Sequence, residues 1–476
     1  MTPRLLALLL LPVFLPVFVS TAAAADRPNL LLITADDLGL QLGCYGDQAV
    51  PTPHLDALAA SSLRFRTAYV TQASCSSSRS SLLTGLYPHT NGQYGLGNRP
   101  EPFELTAEAQ AQTLPGVLKA QGYRAGILGK LHVRPFDAFD WDTFDKTGFG
   151  SRDVRTQVDL AGQFVDSAGD APWMLMVNLF DPHGAKRKRK DGTLGEWYFP
   201  NVVDGLPTDP IGPKDTRPWP WQGVADEAQR KRIAGFYNCV ARIDAAIGLL
   251  LDRLDLQAGS DAAAHTVVMF VGDHGPPFFR GKTTCYESGL RIPYLVRWPG
   301  VLDAGTSDRL VSTVDLYATM LDAAGVDTEG ITRHGRSLRT VAGGDWRSTL
   351  VAEHHWHGPG RYCPRRAIRD DRFKLIHNLK PQNGAYDSVD GDTLYKRLPK
   401  IADVPPRVRA ALDRAVRPPE WELYDLAADP VEFVNLADDP GHADTMRRLQ
   451  DELAEWQQRT DDPLIDGPQP LEGADR

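Results

Sequence analysis

The chain has 476 residues, 42% hydrophobic and 24% charged, a globular composition long enough to bury an extensive core and to form two or three domains. Its 52 Lys and Arg against 61 Asp and Glu leave a formal charge of −9, which excludes a protein whose whole surface grips nucleic acid, so an anionic ligand must meet a local basic pocket. Five cysteines (Cys44, Cys75, Cys239, Cys285 and Cys363) are too few and scattered for a disulfide scaffold, and no C-x-x-C pair suggests structural zinc.

Residues 1–25 read as a signal peptide: Arg4, an apolar run from Leu5 to Val19, then Ala22 to Ala25 before Asp26. The run is short for a membrane span, ends in small residues suited to cleavage, and is followed by no Cys that could carry lipid. No later segment approaches ~18 uninterrupted apolar residues. The expectation is therefore an exported protein, periplasmic or secreted, with no stable membrane anchor.

The first element after that segment is the apolar run from Pro28 to Thr34, which ends in Ala35-Asp36-Asp37, as expected of a strand buried on both faces. The pattern recurs at Tyr123 to Leu128 before Gly129-Lys130-Leu131-His132, and at Trp173 to Phe180 before Asp181-Pro182-His183. It recurs again at Thr266 to Val271 before Gly272-Asp273-His274-Gly275. Four apolar strands thus each deliver polar residues at their C-terminal ends.

Amphipathic helices lie between them, the longest carrying Ile233, Phe236, Tyr237, Val240, Ile243, Ile247, Leu250, Leu251 and Leu254 at spacings of three and four. Strands alternating with such helices predict a largely parallel sheet covered on both faces, with ligands bound beyond the carboxyl ends of the strands. Trp197 to Val224, rich in Pro, Gly and Trp without periodicity, reads as a long loop inserted before the long helix. Beyond about residue 350 short strand-like runs such as Phe373 to His377, turn-rich spacers and a final helix near Asp444 to Gln458 predict a smaller subdomain. The division expected is a catalytic domain over 26–350 and a C-terminal subdomain over 351–476.

The most informative segment is Cys75-Ser76-Ser77-Ser78-Arg79-Ser80-Ser81-Leu82-Leu83-Thr84-Gly85. It resembles the signature C-x-P-S-R-x-x-L-x-T-G of the type I sulfatases, with Ser77 in place of the proline. The resemblance implies that Cys75 is oxidised to formylglycine by a formylglycine-generating or sulfatase-maturating enzyme. The hydrated aldehyde would then attack sulfur, and its second hydroxyl would later expel sulfate. It also implies an alkaline-phosphatase-like α/β/α sandwich with a mostly parallel central sheet and a smaller C-terminal α+β subdomain with an antiparallel sheet.

Companion motifs occur in family order. Asp36 and Asp37, followed by Gly39, and Asp273 and His274 in Asp-His-Gly resemble the metal-binding pairs, with His274 where many relatives have Asn. Together with Cys75 as formylglycine they imply a site for Ca2+, or Mg2+, since hard oxygen ligands suit both. Lys130 and His132 resemble the sulfate-binding lysine and the histidine bonded to the formylglycine hydroxyl. His183 resembles the histidine beside the leaving group, a general acid whose ordinary pKa lies near neutrality. Lys282, in Gly281-Lys282-x-x-x-Tyr286-Glu287, resembles the second sulfate-binding lysine, and Arg79 would offset charge that develops on the nucleophile.

Within that family, Gly85-Leu86, Asn91-Gly92-x-Tyr94-Gly95-Leu96, Arg369 with Phe373 to Leu379, and Trp421-Glu422-Leu423-Tyr424-Asp425 resemble the heparan N-sulfatase branch. The substrate expected is a sulfated carbohydrate carrying sulfate ester or sulfamate groups, with N-sulfoglucosamine among the candidates. Lys186 to Lys190 form a basic run that could steer a polyanionic glycan. Trp219 and Trp221 are candidates to stack sugar rings, and His354, His355, Arg361 and Arg365 are candidates to reach the pocket from the C-terminal subdomain. The alternatives are a phosphoester hydrolase of the same superfamily and, if Cys75 stays a thiol, a non-catalytic sulfated-glycan-binding protein. The oligomeric state is left open, a dimer included.

Overall fold

The protein is described by a computed structural model covering residues 27–97, 103–200, 209–358, 362–384 and 389–468. The expected signal peptide and Arg361 lie outside the described residues. The central sheet has eight strands: β1 (Asn29–Asp36), β2 (Leu63–Phe65), β3 (Arg124–Leu128), β4 (Thr143–Asp145), β5 (Trp173–Pro182), β6 (Thr266–Gly272), β7 (Tyr294–Arg297) and β8 (Gly305–Ser307). Their order is β8-β2-β7-β6-β1-β5-β3-β4. All neighbours are parallel except β7, which runs antiparallel to both β6 and β2.

β1 is apolar from Leu30 to Ile33 because both of its faces are covered. Leu30 and Leu32 point into one core and Leu31, Ile33 and Ala35 into the other, as the alternation of side chains along a strand requires. Helices α1 (Cys75–Thr84) and α4 (Thr313–Ala323) cover the first face, while α2 (Val154–Ala168) and α3 (Glu227–Arg253) cover the second. α3 starts at Asp226, whose carboxylate accepts the N–H of Gln229. It is long and apolar enough to cross a membrane, yet its apolar stretch is 83% buried and forms the second core.

The four strands whose polar ends the sequence singled out are neighbours, in the order β6-β1-β5-β3, and all run the same way. Asp36, Lys130, His183 and Asp273 are therefore delivered to one edge of the sheet, which is what makes a site out of residues far apart in sequence.

A second, antiparallel sheet is formed by β9 (Leu350–His354), β10 (Arg365–Arg369), β11 (Phe373–Asn378) and β12 (Trp421–Asp425) in sequential order. One face packs on Leu449, Leu453 and Trp456 of α5 (Ala443–Arg459); the other, through Ala352, Ala367 and Ile376, joins the core of the first body. The segment expected as a loop from Trp197 begins instead inside a hairpin: Ala185–Lys188 pairs with Leu194–Tyr198. Leu194 to Phe199 carries no period-2 alternation, three aromatic residues standing side by side before Pro200, so a strand is not legible there in the sequence.

Candidate active site

Cys75 is the first residue of α1, so its side chain sits at the positive end of the helix dipole, where a negative charge is favoured. The whole helix is buried; Ser80 Oγ donates to Ser77 O at 2.8 Å, and Thr71 Oγ1 lies 2.7 Å from Ser81 Oγ. Ser77 lies in the first turn, where backbone N–H groups have no helical acceptor; the bond from Ser78 N–H to Ser74 O comes one residue later. A proline's missing N–H costs nothing at that place, so serine and proline both fit it. The helix ends at Gly85 (φ 71°), where a Cβ would stand 2.6 Å from the Tyr317 ring.

Around Cys75 the sheet edge places Asp36, Asp37, Asp273 and His274, all fully buried. Donor atoms of Asp36, Cys75 and Asp273 lie within 4.8 Å of one another, as do those of Asp37, Cys75 and His274. Asp37 adopts φ 70°, a left-handed conformation costly for a non-glycine residue; its N–H donates to Asp273 Oδ1 at 2.8 Å, which holds it there. His274 Nδ1 donates to Gly275 O at 2.9 Å, which leaves Nε2 facing Cys75 Sγ at 3.2 Å.

Arg79, one turn after Cys75, is buried and donates through Nε to Asp273 Oδ2 (3.1 Å) and through Nη1 to Asn178 Oδ1 (2.7 Å). Lys130 Nζ lies 2.7 Å from Asp36 Oδ2, and Lys282 Nζ bonds Asp37 Oδ1 at 2.9 Å and Asp390 Oδ2 at 2.8 Å. Burial alone would raise the Asp36 carboxyl, but Lys130, with His183 and Arg79, holds it well below the usual carboxylate range. Burial and the neighbouring Asp36 push Asp273 up. His274 is lowered by burial but lifted further by Asp273 and Cys75, to about 9.

The floor of the pocket is therefore acidic and buried, and its rim is made by the partly exposed Lys130, His132, His183, His357 and Asp390. His132 (φ 58°) is kept neutral by burial and by Lys130. His183 Nδ1 donates to Gly184 O at 2.7 Å, so Nε2 is the atom turned to the pocket, 3.9 Å from Asp37 Oδ2. Behind it, Asp181 is clamped by Arg152 (2.7 Å) and Arg242 (3.0 Å), and Arg152 also donates to His183 O at 2.6 Å.

The donor set fits a hard divalent cation. Three carboxylates converge beside Cys75, and Asp37 Oδ2 is a buried oxygen with no hydrogen-bond partner among the described residues.

Several candidates lie elsewhere. Trp219 is 5% exposed: it stacks on Trp221 (5.3 Å), packs on Phe278 (4.4 Å), and donates Nε1–H to Tyr237 Oη at 2.9 Å. It belongs to the core rather than to a sugar platform, and Trp221 is packed against the same core. His354 and His355 are fully buried, His355 against Tyr94 and 3.4 Å from Glu353, so neither presents a surface to a ligand. Arg365 is buried behind the Lys282 loop and reaches Thr283 O at 3.5 Å. Reasoning from sequence missed Asn178 and Asp390 as site residues. The first was signalled only by one amide inside an apolar strand, and the second reads as part of an Asp-Gly-Asp turn.

The sulfatase family model matches residues 28–326, which include Cys75 and every companion residue delivered by the sheet edge. The chain belongs to the sulfatase family. A second model, the C-terminal region of N-sulphoglucosamine sulphohydrolase, matches residues 272–393 of this sulfatase. Human N-sulphoglucosamine sulphohydrolase is 33% identical over 93% of this chain and 92% of its own. An ulvan-active sulfatase of Formosa agariphila is 27% identical over 90% of this chain and 75% of its own. Among solved structures, a 2-O GAG sulfatase superposes with a TM-score of 0.66 at 20% identity, covering 92% of this chain and 93% of that one. A protein solved with its substrate D-glucosamine-2-N,6-O-disulfate gives 0.64 at 21% identity, covering 92% and 99%. These structural likenesses establish the alkaline-phosphatase-like fold of this sulfatase.

Proposed function

We propose that this sulfatase is an exported enzyme that releases sulfate from N-sulfoglucosamine in fragments of sulfated glycosaminoglycans, after conversion of Cys75 to formylglycine. The observation that carries the reading is the 33% identity to human N-sulphoglucosamine sulphohydrolase along nearly the whole of both chains, and the convergence of three aspartates, Lys130 and Lys282 around Cys75 supports it. The C-terminal region model supports it further, because its span includes both Lys282 and Asp390 of the pocket wall.

Formylglycine supplies a hydrated aldehyde as nucleophile and a built-in route for expelling sulfate. Asp36, Asp37, Asp273 and His274 would hold a divalent cation, Ca2+ or Mg2+, that lowers the cost of charge on the nucleophile. The remaining chemistry belongs to the chain. Arg79 and the α1 N-terminus fix and offset negative charge at position 75, and Lys130 and Lys282 bind the sulfo oxygens. His132, neutral, exchanges a hydrogen bond with the nucleophile. His183 hands its Nε2 proton to the leaving nitrogen as the S–N bond breaks and the nitrogen keeps the bonding pair, which makes departure as a neutral amine feasible.

The exposed run Lys186 to Lys190 lies on the hairpin whose Trp197 packs against His183 (5.9 Å), so cationic charge flanks the pocket mouth of an otherwise acidic protein. Purified, matured protein should release inorganic sulfate from N-sulfoglucosamine in the presence of Ca2+ or Mg2+. Release from sulfate esters alone, with the sulfamate untouched, would refute the N-sulfo reading while leaving the family intact.

A further inference from the structure

Asp390 is the one pocket carboxylate that no sequence motif announced, and the fold invests heavily in its placement. It adopts φ 42°, a left-handed conformation that a non-glycine residue keeps only when its surroundings impose it. They do: Asp392 Oδ2 accepts hydrogen bonds from Phe279 N–H (2.9 Å), Gln229 (3.0 Å) and Gln222 (3.3 Å), and Arg232 donates to Asp390 O at 2.8 Å. Gly391 (φ 83°) lies so close to Trp197 that a Cβ would stand 2.4 Å from that side chain. The turn is thereby pinned between the long helix, the Lys282 loop and the hairpin, and its carboxylate is turned to the rim.

There, one oxygen of Asp390 receives Lys282 at 2.8 Å. Donor atoms of Asp390, His183 and Asp37 lie within 4.8 Å of one another. Among the described residues His183 and Asp390 share no direct hydrogen bond or ion pair, and one polar atom set between them would reach both at hydrogen-bond distance, about 3 Å each. Such an atom sits where His183 would protonate the leaving group, at the rim beside Asp37.

We infer that Asp390 determines specificity for sulfamates over sulfate esters, by accepting a hydrogen bond from the N–H that bridges sugar and sulfur. The inference rests on the N-sulfo reading above. A sulfamate nitrogen carries one hydrogen to give to Asp390 and a lone pair to receive the proton of His183, so both rim groups are satisfied at once. An ester oxygen in the same place receives from His183 but turns only lone pairs to the Asp390 oxygen that Lys282 does not hold, and the two repel. Sites built to bond an N–H discriminate strongly against analogues that lack it. After cleavage the amine takes a second proton from water, and Asp390 faces the resulting ammonium, a charge that an alcohol product never acquires.

The test uses the full-length matured enzyme and two probes that differ only in the bridging atom, 4-nitrophenyl sulfate and N-(4-nitrophenyl)sulfamate, with wild type and Asp390→Asn. The amide introduced by that substitution can rotate to accept from N–H or donate to an ester oxygen, so the ratio of kcat/KM for sulfamate over ester should fall by at least about tenfold. The ester rate of the variant reports that the fold and nucleophile are intact. A ratio that stays at the wild-type value overturns the inference, and a fall of both rates by one common factor would mean that Asp390 only positions Lys282. The N-sulfo reading is judged separately, by the wild-type rate on N-sulfoglucosamine. A wild type that ignores every sulfamate removes both.

Discussion

Asn178 Oδ1 accepts a hydrogen bond from Arg79 Nη1 at 2.7 Å, joining the only amide inside β5 to the guanidinium that stands one helical turn from Cys75. The same oxygen accepts Thr34 Oγ1 at 2.6 Å, and Asn178 Nδ2 donates to Leu128 O at 3.1 Å, so one side chain ties β1, β3 and β5 to α1 behind Cys75. Asn178→Leu keeps the volume but leaves Arg79 Nη1 and Leu128 O short of partners in a buried place. Unpaired buried polar groups cost about 1–3 kcal/mol each, and supporting residues around a site typically carry 10–100-fold of its activity. The expected result is a lower unfolding midpoint with kcat reduced more than KM is raised. A variant with wild-type kcat would show that Arg79 needs no such support.

Removal of the cation should be visible in stability as well as in rate. With three buried carboxylates close together around Cys75, binding of a divalent ion to the folded state alone stabilises it by about 2.7 kcal/mol at a hundredfold excess over Kd. Chelator-treated protein should therefore unfold at a lower temperature, and added Ca2+ or Mg2+ should restore the midpoint in a concentration-dependent way. A midpoint indifferent to both chelator and ion would contradict the proposed metal site.

His334 makes stability depend on pH at a distance from the pocket. Burial, with His89 nearby, lowers it from 6.5 to about 4, and its Nδ1 accepts the N–H of Tyr87 at 3.1 Å. Between those two values the unfolded chain binds a proton that the folded chain refuses, so stability is fully present above pH 6.5 and falls as pH drops toward about 4, by at most about 3 kcal/mol. Glu353 adds to the loss below its ordinary value: burial would raise it, but His89 and Arg366 hold it well below the usual range. His334→Asn, whose Oδ1 can accept the same N–H, should flatten the fall of denaturant stability between pH 6.5 and 4.5. Equal slopes in the two proteins would assign the acid sensitivity elsewhere.

The basic hairpin should act through charge rather than contact. Lys186 lies over the Trp197 ring at 5.0 Å and Arg187 over Tyr198 at 4.3 Å, while Lys188, Arg189 and Lys190 are exposed toward its turn. Replacing the last three with Gln should weaken kcat/KM for a polysulfated oligosaccharide several-fold at low ionic strength, and the difference from wild type should shrink in high salt, where the Debye length falls to about 3 Å. An effect of the same size at all salt concentrations would point to direct bonding instead.

What the sequence made legible follows from how the site is built. Asp36, Lys130, His183 and Asp273 each lie at or just after the end of a strand that is largely apolar because it lies between two helical layers, so the polar residue after each run stands out. Asn178 interrupts such a run and reads there as one tolerated amide. Asp390 meets Lys282 across 108 residues, and nothing in an Asp-Gly-Asp turn says which wall it will face. Trp219 erred the other way. A Pro-Trp-Pro-Trp segment is equally suited to stacking on a sugar or on Phe278, and only the three-dimensional position of the long helix decides for the core.

The central claim is that a buried residue at the head of α1, ringed by Arg79, Lys130, Lys282 and three aspartates, is a converted nucleophile rather than a thiol. Mass spectrometry of the tryptic peptide from Thr67 to Arg79, from protein made in its native host, tests it most directly. Conversion of Cys75 to the aldehyde predicts a peptide lighter by about 18 Da than the cysteine form. A peptide found only at the thiol mass would leave the pocket without its nucleophile and contradict the account.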